Sequence, residues 1–244
     1  MVRVFQLEMG GERAKAHSGQ FSPMIPDADL IIACPHCAVP ARVFQLFSGN
    51  TLEAITWTDG WMEAPMLPRA PRITRCHACG KIYWVFMAPQ LGYVPLDEAN
   101  KAGEFADAPH IGPLDEASCF EALREGLGAS SDLELELRVF TWWRGNDAFR
   151  DPASSPGHST SKEALENIER MIEMTKDGDE DLLLFRAEAL RHLGRFDEVK
   201  ETLQGVGCSD YWPAKSRQLE LMEAGDRNVA ILYSAERPPE SYST

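Results

Sequence analysis

Cys76-His-Ala-Cys79-Gly80-Lys-Ile-Tyr-Trp-Val85 places two cysteines three positions apart, then a glycine, then a run of β-branched and aromatic residues. Upstream, Cys34-Pro-His-Cys37 repeats the cysteine spacing. A Cys-x-x-Cys turn aims both sulfurs the same way, and two such turns supply the four soft donors that close a tetrahedron around a zinc ion at ~2.3 Å. Cys34, Cys37, Cys76 and Cys79 are therefore the candidate metal ligands, with one structural zinc as the implied cofactor. Gly80 agrees with this, because a knuckle needs a positive φ after its second cysteine and glycine adopts it without steric cost. Four thiolates leave no position for water, so the pattern points to a staple and names no catalytic residue. His36 and His77 lie inside the knuckles, where exposure or hydrogen bonding to the ligands is expected.

Two knuckles with a strand after the second resemble zinc-ribbon modules over roughly residues 30 to 90. The resemblance implies a small β-rich unit held by its metal. The 38 residues between the pairs exceed what a compact ribbon needs and leave room for extra strands. Cys-Pro-His-Cys also looks like the active-site motif of disulfide oxidases of the thioredoxin fold, which depend on a helix N-terminus to lower the thiol pKa. Val39-Pro40 and a strand-like run follow here instead.

Around the cysteines the text is β-like. Strands are predicted over 41–47, 52–58, 72–75 and 81–86, with turn signals at Ser48-Gly-Asn50 and Asp59-Gly60. Arg-Val-Phe-Gln-Leu occurs at 3–7 and again at 42–46, either as two equivalent strands or by coincidence. From about residue 96 the apolar period becomes helical. Helices are predicted over 115–127, 132–144, 161–175, 180–193, 196–204, 213–224 and 227–233. Ser131-Asp-Leu-Glu134 and Thr160-Ser-Lys-Glu163 fit capping boxes. Residues 145–159, rich in Gly, Pro and Asp, predict a loop. Leu135, Val139 and Trp142 share one helical face and belong in a core, while Arg138, Asp147 and Arg150 are expected to pair internally. Cys119 and Cys208 stand alone and read as buried small apolar residues.

Asp181 to Leu203 holds Ala187 and Ala189, then Gly194, then Phe196 two residues on. This resembles a tetratricopeptide repeat, in which small residues let paired helices cross, the glycine turns the chain and the aromatic plugs the joint. Val199 stands where such repeats usually place Ala, and no proline closes the unit. Leu221 to Gly225 echoes Leu190 to Gly194 at 31 residues, with Arg227 at the plug position. The expected fold is thus α+β: a β-rich zinc-ribbon domain over 1–95, a TPR-like all-α domain over 96–236 and a tail over 237–244.

Net charge is −14 and unevenly spread. Residues 1–110 hold 9 Lys and Arg against 11 Asp and Glu, and residues 111–244 hold 15 against 27. An acidic helical half repels phosphate backbones and favours a protein partner of basic character. Arg69, Arg72, Arg75 and Lys81, interleaved with Tyr83 and Trp84, form the one basic stretch where nucleic acid would bind by phosphate contact and stacking. Because the domain as a whole is not basic, the preferred reading is that they offset the negative charge of a zinc-thiolate centre and nearby acidic residues. Met1 to Gly10, interrupted by Arg3 and Glu8, predicts neither a signal peptide nor a membrane span, hence a cytoplasmic location in which thiols stay reduced. No nucleophile motif, phosphate loop or dinucleotide fingerprint is present. The expectation is a non-enzymatic interaction or adaptor protein. The rivals are a nucleic-acid-binding regulator using the ribbon and an enzyme with a site between the two domains.

Overall fold

The computed structural model describes residues 24–95, 103–151, 161–207 and 211–234. The chain is α+β. Its strands are β1 (Ile25–Pro26), β2 (Asp29–Ala33), β3 (Pro40–Val43), β4 (Leu46–Ser48), β5 (Ile55–Trp57), β6 (Met62–Glu63), β7 (Ile73–Arg75), β8 (Ile82–Trp84), β9 (Gln90–Val94) and β10 (Ile231–Tyr233). Its helices are α1 (Glu116–Arg124), α2 (Ser131–Gly145), α3 (Asp147–Arg150), α4 (Lys162–Met174), α5 (Glu180–His192), α6 (Phe196–Gln204) and α7 (Trp212–Glu223). None is long and apolar enough to cross a membrane. The described chain divides into two units, 24–53 with 64–118 and 54–63 with 119–234.

The first unit is built on β2, an apolar strand paired antiparallel to β3 on one side and β9 on the other. β7 and β8 form a separate hairpin, and β1 pairs with β4. Ile32, Ala41, Val43, Tyr83 and Ala88 make its core together with Cys34 and Cys76. The predicted run over 41–47 is interrupted before Leu46, which begins the short strand against β1. The run over 81–86 ends at Trp84 in a single 3-10 turn.

The second unit packs α2, α4, α5, α6 and α7 around Val139, Trp142, Met171, Leu190, Val199 and Leu203. Leu135, Val139 and Trp142 all enter that core, as their spacing requires. Cys119 is buried as well, and Cys208 lies outside the described residues. This unit also has a sheet of its own, in the order β10-β5-β6. Residues 227–233, predicted helical, are therefore corrected to a loop and the strand β10. Gly225, at φ +68, ends α7, and the isoleucine, leucine and tyrosine that follow pair with β5.

Both helix starts move by one residue. Ser130, not Ser131, caps α2 by accepting from the Leu133 amide, and Ser161, not Thr160, caps α4 by accepting from Ala164. Each site offers two adjacent hydroxyls, and the preferred one leaves Glu134 and Glu163 out of the reciprocal capping position. The loop over 145–159 is corrected at its beginning, where Asp147–Arg150 forms the turn α3; residues 152–160 lie outside the described ones, as does the first Arg-Val-Phe-Gln-Leu copy.

Candidate metal centre

Each cysteine pair forms the turn of a hairpin. β2 enters the first knuckle and β3 leaves it, with Ala33 opposite Pro40; β7 enters the second and β8 leaves it, with Arg75 opposite Ile82. The backbone bonds are the same in both. Cys34 N donates to Val39 O at 2.9 Å and Ala38 N to Cys34 O at 2.8 Å; Cys76 N donates to Lys81 O at 2.9 Å and Gly80 N to Cys76 O at 3.0 Å. Gly80 has φ +74. Ala38, at the equivalent position, is forced to φ +60, where its Cβ crowds the backbone.

The four Sγ atoms lie within 4.8 Å of one another. Cys34 Sγ is 3.8 Å from Cys79 Sγ, and Cys37 Sγ is 3.6 Å from Cys76 Sγ. Disulfides are excluded, since these distances are far beyond the ~2.05 Å of an S–S bond and the cysteines are free. Sulfurs at ~2.3 Å from a central ion would sit about 3.8 Å apart along a tetrahedron edge, so the spacing fits a bound cation.

The electrostatics agree with the geometry. Desolvation pushes the buried Tyr83 hydroxyl up to about 12, and the charge of the four neighbouring thiols adds to the effect. At Cys76 desolvation acts upward but is outweighed by the Cys79 and Ala78 amides and adjoining thiols, which bring it down to about 6. At Cys37 the Val39 amide pulls downward, yet desolvation and the other three sulfurs push the thiol up to about 12. Four sulfurs this close resist ionising together without a cation among them.

His36 and His77 are exposed and stand outside the four-sulfur group. Arg75 donates to Gly80 O at 2.9 Å and to Ser118 Oγ at 3.0 Å, bracing the second knuckle. Arg72 lies over the Phe86 ring at 5.3 Å, and Arg69 and Lys81 are exposed. Tyr83 and Trp84 are buried.

In the second unit, Arg138 pairs with Glu134 at 2.9 Å and Arg150 with Asp147 at 3.1 Å, as expected for internal ion pairs. The stronger partner of Arg150 is the fully buried Asp59, which also accepts from Asn146 Nδ2 at 3.0 Å. Sequence reading identifies Asp59 only as a turn residue, because the 91 positions separating it from Arg150 leave no local signal. The other concealed constellation is Glu188 with Arg191, the largest side chain that is fully buried. Glu188 accepts from Thr58 Oγ1 at 2.6 Å and from Arg191 Nε at 2.9 Å; Arg191 also donates to the carbonyls of Asp226 and Asn228 at 2.6 and 2.8 Å. On a helix rich in charged residues, nothing local sets these two apart from a solvated face.

No protein-family model matches the chain, and no curated protein or solved structure is significantly similar to it. The fold and site define an α+β protein with a four-cysteine cluster able to hold a metal ion.

Proposed function

We propose that the chain is a non-enzymatic adaptor whose first unit is clamped by one structural zinc and whose helical unit engages a protein partner of basic character. The observation that carries this reading is the four-sulfur cluster. Its spacing suits a closed set of four thiolates, so a zinc held by Cys34, Cys37, Cys76 and Cys79 would supply cross-linking of two hairpins and no site for water. The working surface then belongs elsewhere. The helical half carries most of the acid, which suits a basic partner.

The α5–α6 pair supports a TPR-like reading: Ala187 and Ala189 are buried, Gly194 turns at φ +76, and the larger Val199 is accommodated in the core. The 31-residue echo has a more general origin. Arg195 N bonds Leu190 O, Asp226 N bonds Leu221 O and Leu127 N bonds Ala122 O, so α5, α7 and α1 all finish in the same glycine-terminated Schellman cap. Nucleic-acid binding by the ribbon is less favoured, since Arg75 is engaged and Tyr83 and Trp84 are buried away from any base.

Metal analysis of the purified full chain should give one zinc per molecule, with Cys34→Ser and Cys76→Ser each losing it and the order of the first unit. Affinity capture followed by binding of the purified components should identify a protein partner with a basic contact region. Turnover of a small substrate by purified protein that binds no protein would refute the adaptor reading.

A further inference from the structure

Each knuckle has one sheltered cysteine and one accessible one. Cys34 and Cys76 are 2% and 4% exposed and belong to the core of the first unit, whereas Cys37 and Cys79 are exposed. Backbone amides reinforce the difference. His36 N donates to Cys34 Sγ at 3.5 Å, and Ala78 N and Cys79 N donate to Cys76 Sγ at 3.4 and 3.5 Å. The contacts between knuckles run diagonally: exposed Cys37 meets buried Cys76 at 3.6 Å, and exposed Cys79 meets buried Cys34 at 3.8 Å. An oxidant arriving from solvent therefore reaches a sulfur that already touches a second one across the gap.

We propose that this cluster is a peroxide-sensitive site, at which hydrogen peroxide exchanges the metal clasp for disulfides joining Cys37 to Cys76 and Cys79 to Cys34. The inference rests on the zinc clamp of the proposed function and extends it. Metal ligation keeps the four sulfurs as thiolates, the form that reacts, and exposure selects Cys37 and Cys79 as the first to do so. Cys37 Sγ attacks one peroxide oxygen; the O–O bond breaks, a sulfenic acid forms on Cys37 and hydroxide leaves. Cys76 Sγ then attacks the Cys37 sulfur, so that the S–S bond forms, the S–O bond breaks and a second hydroxide leaves. Solvent protons turn both hydroxides into water. Each sulfur has given up one electron, and the peroxide has gained the pair. Cys34 and Cys79, left as two donors where four closed the tetrahedron, release the ion and react in the same way with a second peroxide.

Pairing across the knuckles follows from the backbone. Each turn is pinned by its own bonds, from Cys34 N to Val39 O and Ala38 N to Cys34 O in the first, and from Cys76 N to Lys81 O and Gly80 N to Cys76 O in the second. Drawing two sulfurs together inside a turn works against those bonds. Joining the turns to each other only closes gaps of 3.6 and 3.8 Å to the ~2.05 Å of a disulfide. Because Cys37 stays tied to Cys76, the chain between them remains a ring after the metal has gone.

The test treats the full-length, zinc-loaded protein with hydrogen peroxide. Tandem mass spectrometry of unreduced peptides should find the Cys37–Cys76 and Cys34–Cys79 disulfides, and a chromogenic chelator should register complete loss of zinc in step with them. Dithiothreitol with added zinc should reverse both changes. The oxidised protein should melt close to the zinc-loaded form and above the reduced, chelated one. Any other pairing of the four cysteines, zinc loss with no disulfide between the knuckles, or thiols that survive a large excess of peroxide overturns the proposal without any variant having to fold. A melting temperature equal to that of the chelated form overturns it as well, since the ring would then have opened. A chain purified without zinc refutes the clamp reading instead, and mapping the disulfides of that metal-free chain still decides the pairing.

Discussion

Ala38 and Gly80 occupy equivalent places in two hairpin turns with matching hydrogen bonds, yet only one is glycine. Gly80→Ala should cost about 1 kcal/mol in a urea titration of the metal-loaded protein, whereas Ala38→Gly should fall close to neutral, because relief of the left-handed strain offsets the added freedom of the unfolded chain. Equal losses from both would show that the knuckles are not equivalent. The strain at Ala38 was legible in principle: aligning the two Cys-x-x-Cys motifs puts it opposite Gly80. Glu188 was not. Its partners Thr58 and Arg191 are a distant turn residue and a helix neighbour, and only the folded state brings all three together. Glu188→Ala leaves the Arg191 guanidinium buried without its counter-charge and should cost about 3–5 kcal/mol, read from the denaturation midpoint. A loss below about 1 kcal/mol would mean that water reaches the arginine.

Among the elements, α2 and α4 are joined through Glu134, which receives Arg138 at 2.9 Å and Arg170 at 3.1 Å. The Arg170 hydrogen bond first, then that of Arg138, holds its carboxyl below the usual range. A depressed folded-state pKa adds stability above the unfolded value near 4.5 and loses it as pH falls through the folded one. Glu134→Gln should therefore be less stable than the parent by about 0.5–1 kcal/mol at pH 7, and the two should converge as the pH falls from 4.5 through the depressed folded-state pKa. A gap that stays constant across that fall would place the effect in packing instead of charge. Helix positions were legible because their apolar periods are long and their ends carry serine caps or glycines. β10 was not, since Ile231-Leu-Tyr233 is too short to declare a period and takes its conformation from β5. The four sulfurs were the most legible feature of all, because ligand chemistry fixes both residue type and spacing.

At the scale of the molecule, the helical unit is completed by residues 54–63, which lie between the two knuckles in sequence. They bring β5 and β6, the Thr58 hydroxyl used by Glu188 and the Asp59 carboxylate used by Arg150. A fragment of residues 119–244 should consequently retain helical circular dichroism but lose cooperative thermal unfolding, with Glu188 deprived of the Thr58 hydroxyl and Arg150 of the Asp59 carboxylate. Sharp melting of that fragment would show the borrowed segment to be dispensable. The same connectivity gives the cysteine clasp a reach beyond its own sheets. Closing it turns the chain from Cys37 to Cys76 into a ring, and closing a ring of that length removes on the order of 4 kcal/mol of unfolded-chain freedom, by analogy with a disulfide. Because the middle of the ring is a strand pair of the helical unit, a chelator acting on four sulfurs should lower the melting temperature of helices that hold none of them.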